Sequence, residues 1–250
     1  MKFTVVTIFP QLIEDYFKEG IMSRALKKKQ IQLKTVSPRK FTKDRHQTVD
    51  DIPYGGGAGL VMKIEPLVKA IKAVTKGREI ASSSKTSRND KMDSRLRGND
   101  NGKVGNDEKK GGNDGGKKVR VILLDPRGKR FTQKEVKRLS GYEELVFVCG
   151  RYEGVDERIK FYIDEKLSVG DFVLMGGELG ALTVMEAVSR LIPNVLHHPE
   201  SAKFESFSEG SNLEHPQYTR PEVFEGHKVP KVLLSGHHGK VGEWRRKNSK

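Results

Sequence analysis

The sequence predicts an α/β fold with a mostly parallel sheet flanked by helices. Two strand patterns carry this prediction, because residues 121–124 (Val-Ile-Leu-Leu) and 145–148 (Leu-Val-Phe-Val) are apolar at consecutive positions instead of alternate ones. Strands of this kind are buried on both faces, as in parallel sheets that helices cover from both sides. Helical spacing of apolar residues follows each pattern, which supports an alternation of strands and helices.

The remaining elements follow from the same periodicities. Residues 2–9 are β-branched and aromatic, which predicts a strand, and Pro10 is tolerated in the first turn of the helix predicted next. Residues 37–63 are mostly loop. Further strands are predicted at residues 31–36, 119–124, 144–149 and 167–169. Helices are predicted at residues 10–18, 21–29, 66–75, 132–139, 155–163 and 178–192, with a short basic helix around Trp244.

One long polar segment interrupts this pattern. Residues 78–118 repeat Asn-Asp dipeptides and contain very few aliphatic side chains. Such a segment cannot bury enough apolar surface to offset its chain entropy. We therefore predict a disordered insertion within a first domain that covers residues 1–200. A linker over residues 201–215 and a small helical C-terminal domain over residues 216–250 complete the expected organisation.

The charge of the chain favours a polyanionic partner. Its 250 residues carry a formal net charge of +14, and neutralising phosphates with Lys and Arg releases counterions; an ordinary basic protein is the alternative. The single cysteine, Cys149, excludes an internal disulfide and a Cys-x-x-Cys site, which suits a reducing cytosol. Because no apolar run approaches about 20 residues, we expect no membrane span and a cytoplasmic location.

Three short motifs point to other functions and are rejected. Gly111, Gly116 and Lys117 imitate a phosphate-binding P-loop, but Lys118 replaces the Ser or Thr that would hold Mg²⁺. No G-x-G-x-x-G motif follows the first strand, so a Rossmann dinucleotide site is not supported. Adjacent histidines at positions 197–198 and 237–238 rarely point to one metal centre, and we predict no metal ligands.

Three glycine-containing loops follow three successive predicted strands. We call them the first loop (residues 125–128), the second loop (residues 150–158) and the third loop (residues 168–180). In an open α/β sheet, ligands bind beyond the carboxyl ends of the strands, where such loops converge. Glycines let main-chain groups approach a ligand closely. One such loop would be an ordinary turn, but three in series predict a binding site.

Long stretches of the chain resemble one enzyme family. The strings CGRYEGVDER (residues 149–158) and SVGDFVLMGGEL (residues 168–179) are similar to those of bacterial tRNA (guanine-N1)-methyltransferases, which belong to the knotted SPOUT superfamily. The same holds for DRHQTVDDIPYGGGAG (44–59), PQYTRPEVFEG (216–226) and VPKVLLSGHHG (229–239). The resemblance spans nearly everything except the insertion.

This resemblance implies a deep trefoil knot in the sheet domain, a homodimer, and S-adenosylmethionine as a methyl donor held by the three loops. It also implies methylation of tRNA at N1 of the guanosine immediately 3′ of the anticodon (guanosine 37), with Mg²⁺ as a candidate second cofactor. The residues carried over to the donor site are Leu124, Pro126, Gly150, Tyr152, Glu153, Val169, Gly170, Asp171, Phe172, Val173, Leu174, Gly176 and Gly177.

Two residues are carried over to the chemistry. Guanine N1 becomes nucleophilic only after it loses its proton, and a positioned carboxylate that takes this proton contributes about 10²–10⁴-fold. The family's aspartate base, in an Asp-Ser-Phe motif, matches Glu205 of Glu-Ser-Phe here. Arg190 matches the arginine that stabilises the negative charge developing toward O6. In the family, the base acts across the dimer interface.

Several departures from the family's pattern bear on the site and on tRNA binding. Asp125 and Arg127 stand in the first loop where Ser and Gln are usual, and Glu205 is one methylene longer than the family's aspartate. The sequence also ends at residue 250, shortly after Trp244, where family members continue with further helices. We therefore expect a truncated C-terminal domain with altered affinity for tRNA.

Two alternative functions stay open from the sequence. The insertion, the short C-terminus and the Glu205 change would fit a catalytically weak RNA-binding protein derived from the enzyme. The second alternative is a nucleotide-binding α/β protein unrelated to RNA, which the basic charge disfavours. Calorimetry with S-adenosylmethionine tests the nucleotide-binding alternative. A methyl-transfer assay on tRNA separates the active methyltransferase from the catalytically weak RNA-binding protein.

Overall fold

The structure is a computed structural model that describes residues 1–75, 118–196, 205–207 and 213–249. The predicted insertion lies outside the described residues except for Lys118. Most of the predicted linker and the His197–His198 pair also lie outside them.

Five parallel strands form the central sheet. They are β1 (Lys2–Val6), β2 (Gln32–Val36), β5 (Val119–Arg130), β6 (Glu144–Cys149) and β7 (Glu165–Ser168), in the order β2-β1-β6-β5-β7. The consecutive apolar residues of β5 and β6 are buried on both faces, as the sequence predicts. The α/β architecture with a parallel sheet is therefore confirmed.

Helices cover both faces of the sheet. One face packs against α1 (Pro10–Tyr16), α2 (Gly20–Lys27), α4 (Gln133–Leu139) and α5 (Glu178–Ser189). The other face packs against α3 (Ile64–Val74) and a 3₁₀ helix over Glu157–Phe161. On the first face, Phe3 and Phe147 are fully buried beneath Ile13 of α1 and Val184 of α5. Because apolar layers cover both faces of the sheet, β1, β5 and β6 do not show an alternation of apolar and polar residues.

Strand β5 is longer than predicted because it resumes after an interruption. It pairs with β7 through Leu124 and again from Lys129, with a register shift between them. The first loop is this interruption. Gly128 lies against the neighbouring backbone so closely that a Cβ atom there would stand 2.4 Å from the main-chain nitrogen of Leu167. The absence of a side chain at Gly128 therefore lets the first loop pass directly over β7.

One local prediction is wrong. Residues 155–163 do not form an α-helix, because the segment is held at both ends: Val155 bridges Met62, and the main-chain nitrogen of Asp164 donates to Val121 at 2.9 Å. Only the 3₁₀ helix Glu157–Phe161 fits between these anchors, and Asp156 caps it by accepting from the nitrogen of Arg158. Residues 37–63, predicted as mostly loop, are mostly loop and contain three short elements. They are a 3₁₀ helix (Pro38–Phe41) and the antiparallel strands β3 (Asp50–Asp51) and β4 (Val61–Met62).

The C-terminal part contains an antiparallel pair and two helices. They are β8 (Val223–Phe224), β9 (His227–Lys228), α6 (Lys231–Leu234) and α7 (His238–Asn248), so the predicted basic helix is present. The domain boundaries and the trefoil knot stay predictions. Within the residues that the structure describes, no helix has the length and apolar character that a membrane crossing requires.

Candidate methyl-donor site

The first loop, which interrupts β5 after Leu124, meets the second and third loops at the carboxyl ends of β6 and β7. Between them lies a cleft of about 520 Å³, which we call the three-loop cleft. Its volume falls in the usual range for small-molecule sites, about 300–1,000 Å³. Its walls combine apolar side chains such as Leu124 and Leu174 with the main chain of several glycines. The convergence expected from the sequence thus produces a cavity.

Most of the residues carried over to the donor site line this cleft. They are Leu124, Pro126, Gly150, Tyr152, Glu153, Val169, Gly170, Phe172, Val173, Leu174, Gly176 and Gly177. Asp171 is not among the lining residues. Its carboxylate instead accepts from Arg130 at 2.9 Å, and both side chains are exposed. The structure brings the carried-over residues together, while their role in donor binding stays a prediction.

Several lining residues were not carried over. Asp125, Arg127, Arg151 and Glu157 supply the charged part of the wall, and Leu167, Ser168, Met175 and Gly180 also line it. Arg127 belongs to the first loop, and its departure from the family's usual glutamine was the one signal that could have drawn attention to it.

The second and third loops are joined through their main chains. Arg151 pairs with Gly176 as an isolated β-bridge, and the nitrogen of Gly177 donates to the oxygen of Gly150 at 2.9 Å. A Cβ atom at Gly176 would stand 2.2 Å from Nε of Arg151, and one at Gly177 would stand 2.8 Å from Cα of Cys149. Glycine is therefore required at position 177 for the two loops to approach each other, while a side chain at position 176 would displace the Arg151 side chain.

Tyr152 connects the cleft to the segment that contains β3. It has a positive φ of 59°, a conformation that costs energy for a residue with a side chain. Burial raises the pKa of the Tyr152 hydroxyl, and a hydrogen bond to Asp50 raises it further. The adjacent main-chain nitrogen of Glu153 donates to Leu60 at 3.0 Å. The strained backbone is thus held by contacts on both sides of Tyr152.

The two residues carried over to the chemistry lie together but away from this cleft. Arg190 immediately follows α5, and its guanidinium donates to the Glu205 carboxylate in an ion pair. Arg190 lines a second cavity of about 460 Å³ with Tyr16, Ile21 and Glu186, between α5 and the first two helices. Neither residue lines the three-loop cleft.

Candidate metal ligands can be searched for only among the residues that the structure describes. Across the described ranges of the chain, no group of three or more His, Cys, Asp or Glu side chains is arranged to hold a metal ion. Two carboxylates that line the cleft, those of Asp125 and Glu157, form ion pairs with cations, as for Glu157 with Lys166 at 3.0 Å.

Comparison with known proteins identifies the family to which this chain belongs. The family described as tRNA (Guanine-1)-methyltransferase TrmD matches residues 1–93 and 85–250. A tRNA (guanine-N(1)-)-methyltransferase of Clostridium perfringens is 44% identical over 249 residues, covering 100% of this chain and 88% of that protein. Proteins of the same name from Geobacter sulfurreducens (42% identical, 100% and 86% covered) and Persephonella marina (43%, 98% and 82%) are similar over comparable lengths. The chain therefore belongs to the tRNA (guanine-N1)-methyltransferase family, within the SPOUT superfamily.

Proposed function

We propose that the protein transfers a methyl group from S-adenosylmethionine to N1 of a guanosine in tRNA, the guanosine 3′ of the anticodon. The observation that carries this proposal is the three-loop cleft, formed by the sequences that resemble the family. The catalytically weak alternative is not favoured, since the cleft, Arg190 and Glu205 are all present.

The composition of the cleft suits this donor. Main-chain groups of the second and third loops surround the cavity, and such groups can read the edge of an adenine ring without side chains. Leu124, Val169 and Leu174 provide apolar contacts, while the carboxylate of Glu153 faces the same space and complements a cationic ligand. When bound, S-adenosylmethionine supplies an electrophilic methyl group on its sulfonium. The residues of the cleft bind it, orient it and exclude water.

Glu205 and Arg190 account for the acceptor side of the reaction. Glu205 takes the N1 proton of guanine, and Arg190 donates hydrogen bonds to O6, where negative charge develops. In the free protein the two side chains neutralise each other. Their contact keeps the carboxylate close to the arginine until a guanine separates them.

We propose a homodimer that forms through the surface of α1 and α5. Large apolar side chains are exposed there, including Phe9, Leu12 and Tyr16 on one side and Leu179 on the other. Contiguous exposed apolar surface of this kind is typical of protein interfaces. The cavity beside Arg190 opens on the same surface, so a second subunit would complete the acceptor site.

Basic residues provide the expected contacts to tRNA. The overall charge of +14 favours phosphate binding. Arg245, Arg246 and Lys247 project from α7, and Arg39, Lys40 and Lys43 lie in the segment that contacts the second loop through Tyr152. We place the enzyme in the cytoplasm, where tRNA is its substrate.

A methyl-transfer assay tests this function. Full-length protein, radiolabelled S-adenosylmethionine and an unmodified tRNA with guanosine 3′ of the anticodon should give stoichiometric N1-methylguanosine by nucleoside mass spectrometry. The same tRNA with adenosine at that position is the control and should stay unmethylated. The reaction is run with and without Mg²⁺, which decides whether the metal is needed. Tight donor binding without any methyl transfer would overturn the proposal in favour of an RNA-binding protein.

A further inference from the structure

We infer that Arg127 is a positioning residue that holds the first two loops of the cleft together and thereby sets the affinity for the methyl donor. This inference rests on the proposed function, because the cleft must bind the donor for its geometry to matter. It concerns Asp125 and Arg127, two charged residues of the first loop that line the cleft.

The first step is the contact within the first loop. Arg127 donates to Asp125 through Nε at 3.2 Å, through Nη2 at 3.0 Å and through its main-chain nitrogen at 2.8 Å. Asp125 thus fixes both the backbone turn around Pro126 and the direction of the Arg127 side chain. Burial raises the pKa of Asp125, but the hydrogen bonds from Arg127 outweigh this effect, so the pKa lies below its usual value.

The second step is the contact between loops. Nη2 of Arg127 also reaches Glu157 of the second loop at 3.3 Å. Lys166, at the start of the strand that leads into the third loop, donates to Glu157 at 3.0 Å and lies 3.5 Å from Asp125. We call these four residues the charged clasp. Because two cations alternate with two anions, the clasp is neutral and links the segments that form the cleft.

The third step is the position of the clasp. Asp125, Arg127 and Glu157 all line the three-loop cleft, so any movement of these side chains changes its shape. The first loop has no strand pairing of its own, since the β5–β7 register breaks between Leu124 and Lys129. A loop held only at its ends would have to be ordered when a ligand binds, and pre-ordering it removes that entropy cost.

Charge alone could explain an effect of Arg127, and the two explanations predict different results. Removing a cation beside the cleft would favour the donor, whose sulfonium is positive, over the product S-adenosylhomocysteine, whose sulfur is neutral. Loosening the clasp would weaken both ligands equally, because they share the adenosine and amino-acid parts. The comparison of donor and product therefore distinguishes geometry from electrostatics.

Calorimetry on the full chain tests the inference. Arg127→Gln should raise the Kd of both S-adenosylmethionine and S-adenosylhomocysteine about 2- to 5-fold. Lys69→Gln is the matched control, because it also removes one positive charge and one exposed ion pair, with Glu65 at 2.6 Å, remote in sequence from all three loops. Arg127→Lys should restore part of the affinity, and thermal unfolding verifies that each variant is folded.

A double-mutant cycle supplies the second measurement. Because Arg127 and Glu157 act through one contact, Arg127→Gln with Glu157→Gln should weaken binding less than the sum of the single changes predicts. Wild-type affinity in Arg127→Gln, a change for only one of the two ligands, or strict additivity would each overturn the inference. Failure of the wild-type protein to bind either ligand would instead overturn the proposed function.

Discussion

The guanidinium of Arg151 and the carboxylate of Glu178 form a buried ion pair behind the three-loop cleft. Nε of Arg151 donates to Oε2 of Glu178 at 2.8 Å, and the hydroxyl of Thr7 donates to Oε1 at 2.6 Å. The guanidinium also lies over the ring of Phe9, 4.5 Å from its centre. One carboxylate therefore joins the end of β1, the second loop and the first turn of α5.

Removing this carboxylate should destabilise the fold. Glu178→Ala leaves Arg151 and Thr7 without their partner in a site where Glu178 is fully buried, and we expect a loss on the order of 3 kcal/mol in the free energy of unfolding. Urea denaturation measures it. Glu65→Ala removes the exposed ion pair with Lys69 and should cost only about 0.5 kcal/mol. Equal effects of the two substitutions would contradict the structural role assigned to Glu178.

A side chain at position 128 should not be tolerated. In Gly128→Ala the new Cβ would meet three backbone atoms of Lys166 and Leu167 at 2.4–2.6 Å, so the first loop or β7 must move. We expect a loss of at least about 1–3 kcal/mol, as for other overpacked sites, together with weaker donor binding. Gly141→Ala is the control, since its nearest such contact is the oxygen of Arg138 at 3.5 Å. A melting temperature unchanged from wild type would show that the close approach is wrong.

Cys149 should resist thiol reagents while the protein is folded. Burial raises the pKa of its thiol well above the usual 9.0, and the thiolate is the reactive form. Folding raises the pKa of this thiol, so the protonated thiol contributes to the free energy of unfolding. This contribution is fully present below pH 9.0 and is lost as the pH rises through the raised pKa. At pH 8, Ellman's reagent should detect no thiol in native protein and one per chain in denaturant. Rapid labelling of the native chain would mean that the end of β6 is open to solvent.

Glu205→Gln should separate chemistry from donor binding. The amide cannot take the N1 proton, so single-turnover methylation should fall about 10²–10⁴-fold. The Kd for S-adenosylmethionine should stay the same, because Glu205 does not line the cleft. Glu205→Asp keeps the carboxylate and serves as the matched variant. Retained turnover in Glu205→Gln would remove Glu205 from the role of base.

The sequence predicts the elements with a strong local signal. The continuous apolar runs of β5 and β6 predict buried parallel strands, and β6 has the predicted bounds. The failures occur where long-range contacts overrule local preference. The helical spacing of residues 155–163 yields only a 3₁₀ helix, because bonds to Met62 and Val121 fix the two ends of that segment.

The position of the cleft could be predicted from the sequence, but the ion pairs around it could not. Three glycine-containing loops after three strands point to one edge of a parallel sheet, whatever the strand order. The ion pair of Arg151 with Glu178 and the clasp of Arg127 with Glu157 join residues that lie about 30 positions apart. No periodicity in the sequence signals which cation meets which anion, so these partners follow only from the folded arrangement.

The position of β1 between β2 and β6 has a consequence for biosynthesis. One edge of β1 pairs with β2 soon after both strands emerge, but the other edge waits for β6, whose Glu144 binds Thr4 across 140 positions. At about 5–20 residues per second, that delay is on the order of ten seconds. During this interval we expect the edge of β1 that later pairs with β6 to stay unpaired, and an unpaired strand edge promotes aggregation.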